Sequence, residues 1–131
     1  AVFGIDIILQ VTPNTSEERV REIARSSSGF LYVVNVEGVT GAREKVPQST
    51  VELMESVRKD AEIPLMAGFG VSKERHARAL VSAGADGVIT GSALGRIYGE
   101  NLSEPERKLD ELGEFAKRIK KACVHAYRQR G

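Results

Sequence analysis

The 131-residue sequence has one cysteine, Cys123, which rules out an internal disulfide and leaves no clustered thiol for a metal. An excess of either charge is also missing. With 19 basic and 18 acidic side chains the formal net charge is +1, no electrostatic reason to bind nucleic acid or a membrane surface. Long apolar runs are absent, since segments such as Ile5–Leu9 fall far short of a bilayer span. No basic-then-apolar leader reads as a signal peptide, so the cytoplasm is the expected location. Nor is there a linker or low-complexity stretch, and residues 1–131 are expected to form a single domain. A starting Met is lacking too. The chain enters a strand soon after Ala1-Val2-Phe3-Gly4, as it would if cut between two repeating units.

What is present is a fourfold alternation of short apolar runs with amphipathic helical patterns. The first run, Ile5–Val11, passes through the turn Thr12-Pro13-Asn14-Thr15 into a helix over Ser16–Ser27. Thr15 and Glu18 have capping-box spacing, and Val20, Ile23 and Ala24 share a face. The second run, Phe30–Val36, is followed by a long loop from Glu37 to Gln48. A helix from Ser49 then presents Leu53, Met54 and Val57. The third, Ile63–Ala67, leads through Gly68-Phe69-Gly70 to a helix with Ser72 as its expected cap and Gly84 beyond its end. The fourth, Gly87–Thr90, runs into Gly91-Ser92 and a short helix carrying Ala93, Leu94, Ile97 and Tyr98. A last helix is expected from a capping box, Ser103 to Glu106. Its acidic early half and basic later half suit the helix dipole.

Such alternation predicts right-handed βαβ crossovers and a parallel sheet whose apolar strands want both faces covered. Two α/β architectures fit: a small doubly wound sheet, or four βα units of a (β/α)8 TIM barrel. A full barrel takes about 250 residues, so this length suits a half, strands five to eight, plus a short extra helix. A four-stranded half would leave two sheet edges unpaired.

The two glycine-rich strand ends, Gly68-Phe69-Gly70 and Gly91-Ser92, carry the clearest chemistry. Glycine lets backbone approach an anion, and free amides at a helix start attract phosphate. In barrels the phosphate commonly sits on the last two strand-to-helix loops. The bland alternative is that these glycines only make tight turns. The loop Glu37–Glu44, with Gly38 and Gly41, has the length of a mobile flap, or equally of a solvated connector.

Four segments in order resemble the tryptophan synthase alpha chain family, along the whole chain. Val11-Thr12-Pro13-Asn14-Thr15 is similar to the turn after its fifth strand. Gly29–Val34 with Gly38-Val39-Thr40-Gly41-Ala42 resembles its sixth strand and flap. Gly68-Phe69-Gly70-Val71-Ser72 resembles its seventh loop, and Ala85–Ala93 its eighth strand and phosphate helix. The resemblance implies the carboxyl-terminal half of a TIM barrel in a lyase of tryptophan biosynthesis. The full enzyme cleaves indole-3-glycerol phosphate to indole and glyceraldehyde 3-phosphate. It implies phosphate contacts at Gly41, Gly70, Gly91 and Ser92, with Tyr32 and Phe69 lining the substrate pocket. Thr40 matches the flap threonine that orients a catalytic aspartate. The expected partners are the substrate, a missing amino-terminal half-barrel and the beta chain. Pyridoxal phosphate belongs to that beta chain, so no cofactor and no metal are expected here.

The family's catalytic glutamate and aspartate come from the second strand and its loop, which nothing in this chain matches, so the segment alone is expected to be inactive. Glu37 and Glu44 read as solvated loop charges. Asp6 and Asp86 lie early in their strands, toward the stabilising end of a barrel. His76 is expected on the surface, His125 has no assigned role, and Cys123 reads as a small core residue. Asn35-Val36-Glu37 departs from the polar-basic pair usual before the flap glycine. The alternative reading is a non-catalytic phosphate-binding half-barrel or assembly module, a homodimer closing its own edges. Other phosphate-site barrel enzymes, of thiamin-phosphate or histidine pathways, fit the glycines but not the Gly38–Ala42 flap.

Overall fold

Pairing confines each strand to part of its apolar run. The computed structural model describes residues 3–34, 45–68, 70–100 and 102–130. Within them, strands β1 (Gln10–Val11), β2 (Leu31–Val34), β3 (Leu65–Gly68) and β4 (Gly87–Val88) form one parallel sheet in the order β1-β2-β3-β4. Upstream of β1 the expected strand continues as looser pairing. The Ser28 amide donates to the Ile7 carbonyl at 2.9 Å and the Ile7 amide to Ser28 Oγ at 2.8 Å.

The helices are α1 (Glu17–Ser26), α2 (Gln48–Asp60), α3 (Glu74–Ser82), α4 (Ser92–Gly99) and α5 (Leu109–Arg128). Because the strand order never reverses, every right-handed crossover steps the same way, and the connecting helices fall on one side. They form one layer, α1 against α2, α2 against α3 and α3 against α5. Under that layer Val11, Leu31, Val33, Leu65 and Ala67 are buried. The alternate positions Tyr32, Val34, Met66 and Gly68 are half-buried, and Gln10 is exposed. The expectation that both faces would be covered is therefore corrected: among the described residues only one face is. That winding belongs to barrels, and it excludes the doubly wound alternative.

Several helix starts differ from expectation. The cap of α1 is Ser16, whose Oγ accepts from the Arg19 amide at 3.3 Å. Thr15 is drawn instead into the preceding turn, where its hydroxyl accepts from the Thr12 amide. Helix α2 starts one residue early, with the Pro47 carbonyl accepting from the Thr50 and Val51 amides. Lys73, not Ser72, precedes α3. After Pro105 the chain forms a 3-10 turn, Pro105–Lys108, so the last α-helix begins at Leu109 rather than near Ser103. Gly84 does end α3, at φ +124, with its amide bonded to the Val81 carbonyl and that of Ala85 to Leu80, a Schellman closure.

The amino ends of β3 and β4 are tied by Asp86. Its carboxylate accepts from the Leu65 amide at 2.8 Å and from Arg58 Nη1 at 2.9 Å, with Arg130 Nη1 3.6 Å away. Arg58 also donates to the carbonyls of Ala61 and Ile63, and Arg130 to that of Ala85. Asp86 thus belongs to the stabilising end, as expected. Asp6 lies exposed upstream of β1.

Candidate functional site

Adjacent parallel strands deliver their carboxyl ends to one rim, so the turns after β3 and β4 emerge side by side. At that rim Gly68 is required by packing. A Cβ built on it would overlap the ring and hydroxyl of Tyr32, which lies across this position on the uncovered face. Gly70 is required by conformation, since its φ of +37 sits in the left-handed region, and a Cβ there would meet nothing within 4 Å. Gly91 has open space around it too, and its carbonyl accepts from the Gly95 amide at 3.0 Å to begin α4.

The start of α4 is electrostatically bare. It has no side-chain cap and no acidic residue in its first turn, and Gly91 and Ser92 are exposed. Among the described residues, no acceptor takes the amides of Gly70, Gly91 or Ser92. Unpaired amides backed by a helix dipole form a positive mouth that suits an anion. Of the residues expected at a site, the fold brings Tyr32, Gly70, Gly91 and Ser92 to this rim. Phe69, Thr40 and Gly41 lie outside the described residues, as do Glu37 and Glu44.

One neighbour of the rim was mispredicted from the sequence. His76 is buried at 3% exposure rather than on the surface, and its Nδ1 accepts from the Ser72 amide at 3.4 Å. The signal was its spacing: four residues before Leu80, it shares that buried residue's helix face. Ser72 Oγ, expected to cap α3, is itself buried and has no hydrogen-bond partner among the described residues. Cys123 packs partly buried against the core, and burial pushes its thiol above the ordinary range. A cleft of about 470 Å³ lined by Pro64, Asp86, Cys123 and Tyr127 opens at the opposite, amino end of the sheet, away from the glycine turns.

A singly wound parallel sheet with one helix layer and glycine turns at its carboxyl rim defines an α/β protein of the TIM-barrel kind. The family model for the tryptophan synthase alpha chain matches residues 1–124. The chain belongs to the tryptophan synthase alpha chain family. It is 46% identical over 120 residues to the alpha chain of Methanothermobacter thermautotrophicus, covering 92% of this chain and 44% of that one. With the Arabidopsis thaliana alpha chain the identity is 42%, covering 92% and 43%. A mutant tryptophan synthase alpha-subunit from Pyrococcus furiosus superposes with a TM-score of 0.77 at 30% identity, covering 90% of this chain and 46% of that one. The chain therefore spans less than half the length of these relatives.

Proposed function

We propose that the chain is the strand-five-to-eight half of a barrel lyase that cleaves indole-3-glycerol phosphate to indole and glyceraldehyde 3-phosphate in tryptophan biosynthesis. This half grips the substrate phosphate and supplies the flap. In this reading the amides of Gly70, Gly91 and Ser92, with Gly41 from the flap, hold the phosphate. Tyr32 and Phe69 line the pocket for the rest of the substrate, and Thr40 orients an aspartate contributed from outside the chain. The observation that carries the reading is the pair of glycine turns on one rim, with amides at the start of α4 that no acceptor takes among the described residues.

The chemistry divides accordingly. Releasing indole needs an acid to protonate carbon three of its ring and a base to take a proton from the ring nitrogen or the glyceryl hydroxyl. Those two carboxylates belong to the first four βα units, so this chain contributes ground-state binding and positioning but no proton transfer. The beta chain, with its own pyridoxal phosphate, is the expected consumer of indole. No cofactor or metal is assigned to the half described here.

Complementation tests the proposal. A fragment carrying strands one to four of a family relative, mixed with this chain, should release indole from indole-3-glycerol phosphate, while either part alone should not. Several relatives' fragments that form a soluble complex with the chain yet release no indole would defeat it.

A further inference from the structure

His76 is a buried imidazole bonded to the turn that follows β3. We propose that it is a positioning residue for the phosphate grip, holding the turn Gly70–Ser72 in the shape that lets the Gly70 amide join those of Gly91 and Ser92. The inference rests on the phosphate-binding reading and deepens it.

The turn has little else to hold it. Gly70 sits at a φ of +37 with open space around it, so packing at that residue does not fix its conformation. Val71 plugs into the core and is buried. The Ser72 hydroxyl has a capping residue's chemistry but takes no partner among the described residues. Among those residues, Gly70, Val71 and Ser72 make one hydrogen bond, from the Ser72 amide to His76 Nδ1 at 3.4 Å. One apolar plug and one polar tie therefore set the turn, and the tie ends two residues from the amide assigned to phosphate.

The chemistry of the burial supports a polar duty. Beside His76 on α3, Ala77, Leu80 and Val81 are buried and apolar. A phenylalanine would fill the same place with no polar group to desolvate, whereas a buried imidazole is tolerated only when hydrogen-bonded. An accepting Nδ1 means a neutral ring with its proton on Nε2. His76 is the third residue of α3, the position from which a capping-box side chain reaches back to an amide at the helix start. Here the reach extends past Lys73, the cap position, to Ser72, so it ties the turn as well as the helix. Helix α3 packs against α2 and α5, which gives the imidazole a firm base.

Isothermal calorimetry of the whole chain with glycerol 3-phosphate at mildly alkaline pH tests the role. His76→Phe keeps a ring but loses the acceptor, and should weaken binding about fivefold, the worth of one modest hydrogen bond. His76→Asn carries Oδ1 on Cγ where the imidazole carries Nδ1, and should restore affinity to within about twofold. Asp86→Asn weakens the opposite end of the sheet and should bind as the unsubstituted chain does, which separates positioning from stability. Without ligand, the Gly70 amide resonance should move in His76→Phe and return in His76→Asn. Should either His76 variant not fold, nitrogen NMR of the imidazole in the unsubstituted chain decides. A proton on Nε2 and none on Nδ1 is expected, and a proton on Nδ1 overturns the proposal. Undiminished binding by His76→Phe overturns it too, as do equal losses in the two His76 variants or an equal loss in Asp86→Asn, and each leaves the lyase reading standing. An unsubstituted chain that binds no glycerol 3-phosphate defeats the phosphate reading, and this inference with it.

Discussion

Three glycines at the rim should respond to alanine in three distinguishable ways. At Gly68 the new methyl overlaps the Tyr32 ring, so the ring must leave its rotamer or the backbone must shift. Overpacking of this kind costs about 1–3 kcal/mol. Because the obstacle is one side chain, Tyr32→Ala in the Gly68→Ala background should recover most of the loss, a coupling read from a double-mutant cycle. At Gly70 there is room for a methyl, but a φ of +37 is strained for any residue with a Cβ. The cost there is about 1 kcal/mol, and Tyr32→Ala should not relieve it. At Gly91 neither objection applies, so stability should stay within about 0.5 kcal/mol. The entropy removed from the unfolded chain offsets a slightly poorer helix cap. Urea denaturation of the unsubstituted chain, the four single variants and the two double variants at one fixed concentration checks all of this. Equal losses at the three glycines, or no recovery of Gly68→Ala by Tyr32→Ala, would refute the packing argument.

Asp86→Ala should cost about 2–3 kcal/mol, since it strands the Leu65 amide and removes the carboxylate from two guanidinium groups that keep only their carbonyl acceptors. Asp86→Asn keeps an acceptor for that amide and should lose about 1 kcal/mol, and denaturant midpoints of the two variants will show the difference. Burial raises the Cys123 pKa, which leaves less thiolate at any pH below it. The folded chain should therefore react several-fold more slowly with an aromatic disulfide reagent at mildly alkaline pH than the urea-unfolded chain does. Ser92→Asp puts a negative charge in the first turn of α4. It should stabilise the helix by about 0.3–1 kcal/mol in thermal unfolding, and it should weaken phosphate binding about tenfold by isothermal calorimetry.

The crossover pattern was legible because it depends only on the alternation of apolar runs and amphipathic helices, and parallel pairing follows from that order. Strand ends were not. Ile5, Ile7 and Ile8 read as strand because they are apolar, but Ile7 is held to Ser28, by one bond to its own carbonyl and one to the Ser28 side chain, rather than in a regular ladder, and the three side chains stand exposed. Caps failed where hydroxyls compete. Thr15 and Ser16 are adjacent and chemically alike, and the Thr12 turn decides which is free to cap. Ser72 has the right residue type, yet the amide-to-His76 contact and the start of α3 at Glu74 leave its hydroxyl unused. At the rim, the glycine motifs gave away the backbone positions. The reason for Gly68, the Tyr32 ring two residues out of register, needed coordinates.

Amide NMR of the chain titrated with glycerol 3-phosphate probes the anion mouth most directly. The expected result is a set of shifts centred on Gly70, Gly91 and Ser92 that saturate together and vanish in Ser92→Asp. Shifts confined to the basic later half of α5, or none at the two glycine turns, would contradict it.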